Sequence, residues 1–198
     1  LTGGLENAII SGGDDNDTID GGLGNDQLTG GDDNDTFNIT FGTDTITDLS
    51  TGDILVVSSG ATANGTNISN FVATSSTTNA GIATLTAGNS GSTITMTNSV
   101  NGAYTLNGGS GIDILTGDTD ADTLVGNGGD DVLDGAGGTD TLTGGLNNDT
   151  FKVTSGTDSI TDLSTGDILI VSAGATANAT SISNFVATSS TTNAGIAT

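Results

Sequence analysis

The sequence predicts an all-β, elongated chain built of stacked two-strand coils, and three observations carry that prediction. Glycine-led units of nine recur in register along much of the chain. Gly, Asp, Asn, Ser and Thr dominate, and Asp outnumbers Glu so far that Glu6 is the only Glu; Asp favours turns where Glu favours helices. A second, longer period of 114 then repeats the whole pattern.

The short period reads GGLENAIIS (3–11), GGDDNDTID (12–20), GGLGNDQLT (21–29) and GGDDNDTFN (30–38). A second block reads GGSGIDILT (108–116), GDTDADTLV (117–125), GNGGDDVLD (126–134), GAGGTDTLT (135–143) and GGLNNDTFK (144–152). Asp stands sixth and an apolar residue eighth in each, Ala8 being the exception in the sixth place. The register continues through ITFGTDTIT and DLSTGDILV (39–56) and through VTSGTDSIT and DLSTGDILI (153–170). The glycines permit left-handed or close-approach backbone and so make a tight turn. Asn and Asp tolerate the left-handed region, which accounts for Asp15, Asp33, Asp120 and Asn147 in the fourth place. The tail of each unit forms a strand whose eighth-place side chain points inward. Two units make one coil, so residues two units apart stack at roughly 4.8 Å. Phe37 and Phe151 then fall in the core.

Shifting by 114 lays residues 42–84 on 156–198 with differences only at 45, 56, 59, 65 and 67, so 43 − 5 = 38 of 43 positions are identical. The sequence reads as a window on a longer tandem array. Four segments follow: 1–56, a nonapeptide block with an extension; 57–107, an uncharged β segment; 108–170, a second block; and 171–198, a partial copy of the uncharged segment. Residues 54–112 contain no charged residue. Alternation in STITMTNS (92–99) and GAYTLNGG (102–109) predicts short strands there.

A net charge of −23 with Lys152 as the only base argues against nucleic acid and anionic membranes as partners. No apolar run approaches the ~18 residues of a membrane span, so membrane insertion is not expected. Without His or Cys the familiar bases for nucleophilic catalysis are missing, and the carboxylates recur as identical units, as in a scaffold; an enzyme is not expected. Thr-rich strands raise an ice-binding reading, yet no regular Thr array is visible through 57–107.

The stretch GGDDNDTIDGGLGNDQLTGGDDNDTFN (12–38) crowds its aspartates without a Lys, Arg or His. Two like charges about 4 Å apart repel by roughly 1 kcal/mol even in water, and more near a protein surface. Stacking two units apart brings the sixth-place aspartates into columns, giving the pairs Asp17/Asp35, Asp35/Asp53 and Asp26/Asp44 in the first block. The second block gives Asp113/Asp131, Asp131/Asp149, Asp149/Asp167, Asp122/Asp140 and Asp140/Asp158. A hard divalent cation between successive turns would reverse the sign of the interaction. Calcium accepts six to eight oxygens in irregular geometry, whereas magnesium holds its waters and stricter octahedral geometry and zinc prefers His or Cys. About eight Ca²⁺ sites are expected; the one beside Ala8 should be weak or empty, and the pairs that involve Asp53 and Asp167 depart from the pattern because the glycine of their turn has moved to the fifth place. The third- and fourth-place acids Asp14, Asp15, Asp32 and Asp33 read as turn formers, while Asp48 and Asp162 fit either role.

These units resemble the G-G-x-G-x-D-x-U-x nonapeptide of RTX proteins; GGLGNDQLT and GGSGIDILT match at every defined position. The resemblance covers 3–56 and 108–170 and implies a parallel β-roll that holds calcium, here alternating with calcium-free β segments. It implies ligation by the sixth-place aspartates and by backbone carbonyls of Gly13, Asp15, Gly22, Gly24, Gly31, Gly109, Gly111, Gly129, Gly138 and Gly145. It also implies a bacterial protein exported by type I secretion to the cell surface or beyond. The tandem period suggests a surface layer or filament made of copies of this chain, with the uncharged segment (Phe71 and Val72 within it) as the contact. A stalk of an RTX adhesin, or the secretion and folding domain of an RTX enzyme, is the alternative.

Overall fold

The computed structural model describes residues 1–187 and 192–198. Every paired strand among them is parallel, and the chain winds as an elongated β-solenoid without helices. One wall is a single eleven-stranded sheet running from Ile9–Gly13 at one end to Ile196–Ala197 at the other. The opposite wall is made of two sheets in succession. A four-stranded sheet (Thr18–Asp20, Thr36–Ile39, Ile54–Val57, Thr78–Asn79) serves the first coils, and a seven-stranded sheet from Asn70–Val72 to Thr192–Asn193 serves the rest.

The nonapeptide blocks stack as the period requires. Leu28 pairs with Ile46, Phe37 with Leu55, Leu124 with Leu142 and Leu133 with Phe151, each pair two units apart. These eighth-place side chains, with Ile19, Leu115 and Ile160, are buried. Each contributes roughly 1.5–3 kcal/mol by leaving water, and their ladders form the axial core. Gly31 shows why the turn needs glycine: its φ is 115°, and a Cβ there would lie 2.0 Å from the carbonyl oxygen of Gly13 in the coil below.

The uncharged segment continues the same eleven-stranded sheet, through Thr62–Ile68, Ile82–Ala87 and Tyr104–Asn107. Its coils are longer. Thr43 pairs with Thr62, Thr62 with Ile82 and Ala83 with Tyr104, each step longer than the one before and all longer than two nonapeptides. The extra length admits a third strand, because Asn70–Val72 and Thr78–Asn79 both lie within one turn. Here the second wall passes from the four-stranded to the seven-stranded sheet. Phe71, read from sequence as a contact residue, is fully buried at this junction; only its neighbour Val72 is exposed.

Candidate metal centre

Each sixth-place aspartate sits where the glycine turn enters its strand. In the four-residue strands Thr43–Ile46 and Thr157–Ile160 the side chains of Asp44 and Asp158 point inward and are fully buried. All twelve are buried except Asp17, which is half-buried. The first-place glycine makes the room: a Cβ on Gly30 would lie 2.1 Å from Oδ2 of Asp35, and one on Gly144 2.3 Å from Oδ2 of Asp149.

The structure brings together all eight pairs expected from the sequence. In each, the backbone amide of the first residue donates to Oδ1 of its counterpart two units later: Asp17 to Asp35, Asp26 to Asp44 and Asp35 to Asp53, at 2.8–2.9 Å. In the second block the links are Asp113 to Asp131, Asp131 to Asp149, Asp149 to Asp167, Asp122 to Asp140 and Asp140 to Asp158, at 2.8–3.2 Å. Two columns end on residues without a carboxylate. Ala8 donates its amide to Asp26, and Tyr104 takes the equivalent place below Asp122.

The second carboxylate oxygen is the informative one. Oδ2 of Asp26, Asp44, Asp131, Asp140, Asp149 and Asp158 is buried without a hydrogen-bond partner, as is Oδ1 of Asp113. A buried charged acceptor left unpaired is costly. Burial accordingly pushes the carboxyls of Asp44 and Asp122 up to about 6 and that of Asp149 up to about 7, against the pull of the amide each accepts. Asp35, Asp53 and Asp131 are raised for the same reason. Asp140 and Asp158 rise together through burial, and the Asp158 charge adds to the effect on Asp140. The one Lys offers nothing to these columns, since Lys152 lies on the outer surface opposite Asp134 in the ladder. Orphaned, inward-facing, negatively charged oxygens with hard-ligand chemistry fit a hard cation. Among the described residues no three acidic side chains converge on one point, so an ion held here would draw further oxygens from the backbone.

Asp53 and Asp167 differ. Oδ2 of Asp53 accepts from the Ser50 amide at 2.7 Å and its hydroxyl at 3.2 Å, and Oδ2 of Asp167 accepts from the Ser164 amide at 2.6 Å. The glycine moved to the fifth place leaves a local turn that satisfies these carboxylates internally. Among the turn carbonyls, those of Gly13, Gly109 and Gly138 accept amides from Asp32, Gly128 and Thr157 of the next coil. Gly22, Gly24, Gly31, Gly129 and Gly145 lie in the left-handed region, as does Asp15; Gly111 packs under Gly129.

Several roles could not be read from sequence. Asp48 accepts the amides of Gly30 and Gly31 at 3.0 and 2.8 Å, and Asp162 those of Gly144 and Gly145 at 3.0 and 2.7 Å. Both therefore clamp the glycine turn beneath them. Asp33 and Asn147 adopt positive φ as expected, but Asp120 does not. Its amide instead donates to Asp118 Oδ1 at 2.8 Å, an Asx turn made by the acid in the second place. Asp118 is itself buried, accepts from the Ser99 hydroxyl and donates its amide to Asp122 Oδ2 at 2.8 Å; no periodic signal marks it.

A family model of the RTX calcium-binding nonapeptide repeat, in four copies, matches residues 2–37 and 107–142. No curated protein matches the chain. No helix among the described residues is long and apolar enough to cross a membrane. RTX nonapeptide repeats bind calcium, the hard cation that the buried oxygens of this chain fit. Over these two stretches the chain matches the RTX calcium-binding nonapeptide repeat, and its parallel β-solenoid fits the β-roll of that family.

Proposed function

We propose that this chain is a secreted structural repeat protein that folds on binding calcium outside the cell and assembles with copies of itself into a surface layer or filament. The observation that carries the reading is the set of eight stacked aspartate pairs, most of which leave a buried carboxylate oxygen without a partner. Calcium between the coils supplies the positive charge that the chain lacks, and the sixth-place aspartates with the glycine-turn carbonyls hold it. The pairs ending at Asp53 and Asp167 bind most weakly, because Ser50 and Ser164 compete for the same oxygens. At a free calcium ten times Kd each site contributes about 1.4 kcal/mol, so several sites together rival the stability of an ordinary domain.

Low cytosolic calcium would leave the chain unfolded for export, and the higher calcium outside would fold it; secretion is typical of RTX proteins. The long tandem period supports assembly, since near-identical units present the same surface repeatedly and contacts that do not close generate filaments. The test is light scattering and electron microscopy of the chain with calcium and in chelator. Ordered particles that form with calcium and dissolve in chelator support the proposal. A calcium-folded chain that stays monomeric at high concentration contradicts the assembly half, and leaves a stalk or secretion module as the better account.

A further inference from the structure

The outward face of the eleven-stranded sheet is unlike any other surface of this molecule. Its strands hold only two charged residues, Asp44 and Asp158, and both point inward. A chain of net charge −23 thus keeps the strands of one whole wall free of outward charge, over a length of roughly 48 Å at ~4.8 Å per strand. What stands there is ordered. In-register pairing aligns Thr45, Asn64, Thr84, Thr105, Thr123 and Thr141 in one column, which continues through Ser159. A second set, one outward position further along the strands, is partial: it holds Thr29, Thr47 and Thr66, is broken by a β-bulge at Thr86 and by Asn107 and Val125, and resumes at Thr143 and Thr161. The hydroxyls of Thr29 and Thr47 meet at 2.8 Å, and those of Thr143 and Thr161 at 2.7 Å.

Strand propensity alone favours Thr at such positions, and the opposite wall is the internal control. There Thr18 and Thr36 give way to Ile54, and Thr93 to Ile114 and Val132, while Asp134 and Lys152 place charges beside them. The same propensity acts on that wall and gives no grid. The sequence hid the grid because the coils of 57–107 lengthen step by step, so a fixed period loses the column that the sheet keeps.

We infer that this face binds ice. The grid repeats at ~4.8 Å along the axis and about 6.6 Å along the strands, comparable with oxygen spacings on an ice surface. The Thr hydroxyls of the first column anchor water, those of the second are held by one another or by strand carbonyls, and the methyls of both order the water beside them. A charge would hold its own hydration shell and break the lattice, which explains the exclusion of outward Asp from this wall. The alternatives fit less well. Protein interface cores favour aromatics, Met and Arg, and the sheet's one aromatic, Tyr104, is buried; the same lack removes the stacking platform that a crystalline sugar would use.

The test is ice-affinity partitioning and thermal hysteresis of the calcium-loaded chain, with circular dichroism to verify the fold. Thr105→Lys and Thr141→Lys alter the grid, and Thr116→Lys on the opposite wall is the control. Partition into ice that falls at least tenfold in the grid variants and persists in the control is the expected result. A folded parent chain excluded from growing ice overturns the inference. So does a parent whose grid variants lose self-association rather than ice partition, since the face would then cover a second copy. A chain that fails to fold with calcium is a separate outcome, read by the dichroism, and it overturns both this inference and the calcium reading.

Discussion

The amide of Asp26 donates to Oδ1 of Asp44 at 2.9 Å, while Oδ2 of Asp44 is buried and meets no partner. One oxygen thus locks a coil to the coil below, and the other is left as a buried, unpaired acceptor. Asp44→Asn keeps the first contact and removes the charge. The variant should bind one ion fewer by isothermal titration and lose about 1.4 kcal/mol of calcium-dependent stability at ten times Kd, yet unfold less readily than the parent in chelator.

Asp53→Asn should behave differently. Its Oδ2 is already satisfied by Ser50, so the substitution breaks a turn as well as a weak site. The ion count should change less than in Asp44→Asn, while the calcium-loaded protein loses roughly 1–3 kcal/mol through the broken turn contacts to the charged group. Denaturant unfolding of the two variants side by side makes the comparison.

Gly30→Ala places a methyl 2.1 Å from Asp35 Oδ2, whereas a methyl on Gly4 meets nothing within 4 Å. The first should weaken calcium binding at Asp35, measured with a competing chelator. The second should be neutral within about 0.5 kcal/mol. Ala136 offers the converse case: it holds φ 66°, a region that costs an L-residue roughly 1–2 kcal/mol. Ala136→Gly should raise the melting temperature.

The pH dependence has a definite sign. Asp44 and Asp122 are raised to about 6 and Asp149 to about 7, chiefly by burial, above the unfolded value of 3.8. A raised folded pKa favours the folded state below the unfolded value and loses that contribution as pH rises through the folded one. In chelator the chain should therefore gain β-structure as pH falls from about 7 toward 4. Calcium binds the ionised form, so its apparent affinity should climb as pH rises over the same window. Dichroism at several pH values, with and without chelator, reads both.

The aspartate pairs were legible in the sequence because both walls of the nonapeptide blocks obey one fixed step of two units, and Phe37 and Phe151 fell in the core for the same reason. Where the step lengthens, legibility ends. The third strand at Asn70–Val72, the burial of Phe71 and the Thr grid across 57–107 all depend on longer coils that carry no glycine signature. Asp48, Asp118 and Asp120 escaped for another reason. Each answers a local demand for a hydrogen-bond acceptor or a turn, which any Asp can meet and no period records.

The most direct measurement is a calcium titration of the chain followed by far-UV circular dichroism, with magnesium as the comparison. A cooperative transition from coil to β-structure with calcium, and none with equal magnesium, is the result this account predicts. A chain that is already fully β in chelator at neutral pH, and gains no stability from calcium, would contradict it: the apolar ladders would then carry the fold unaided.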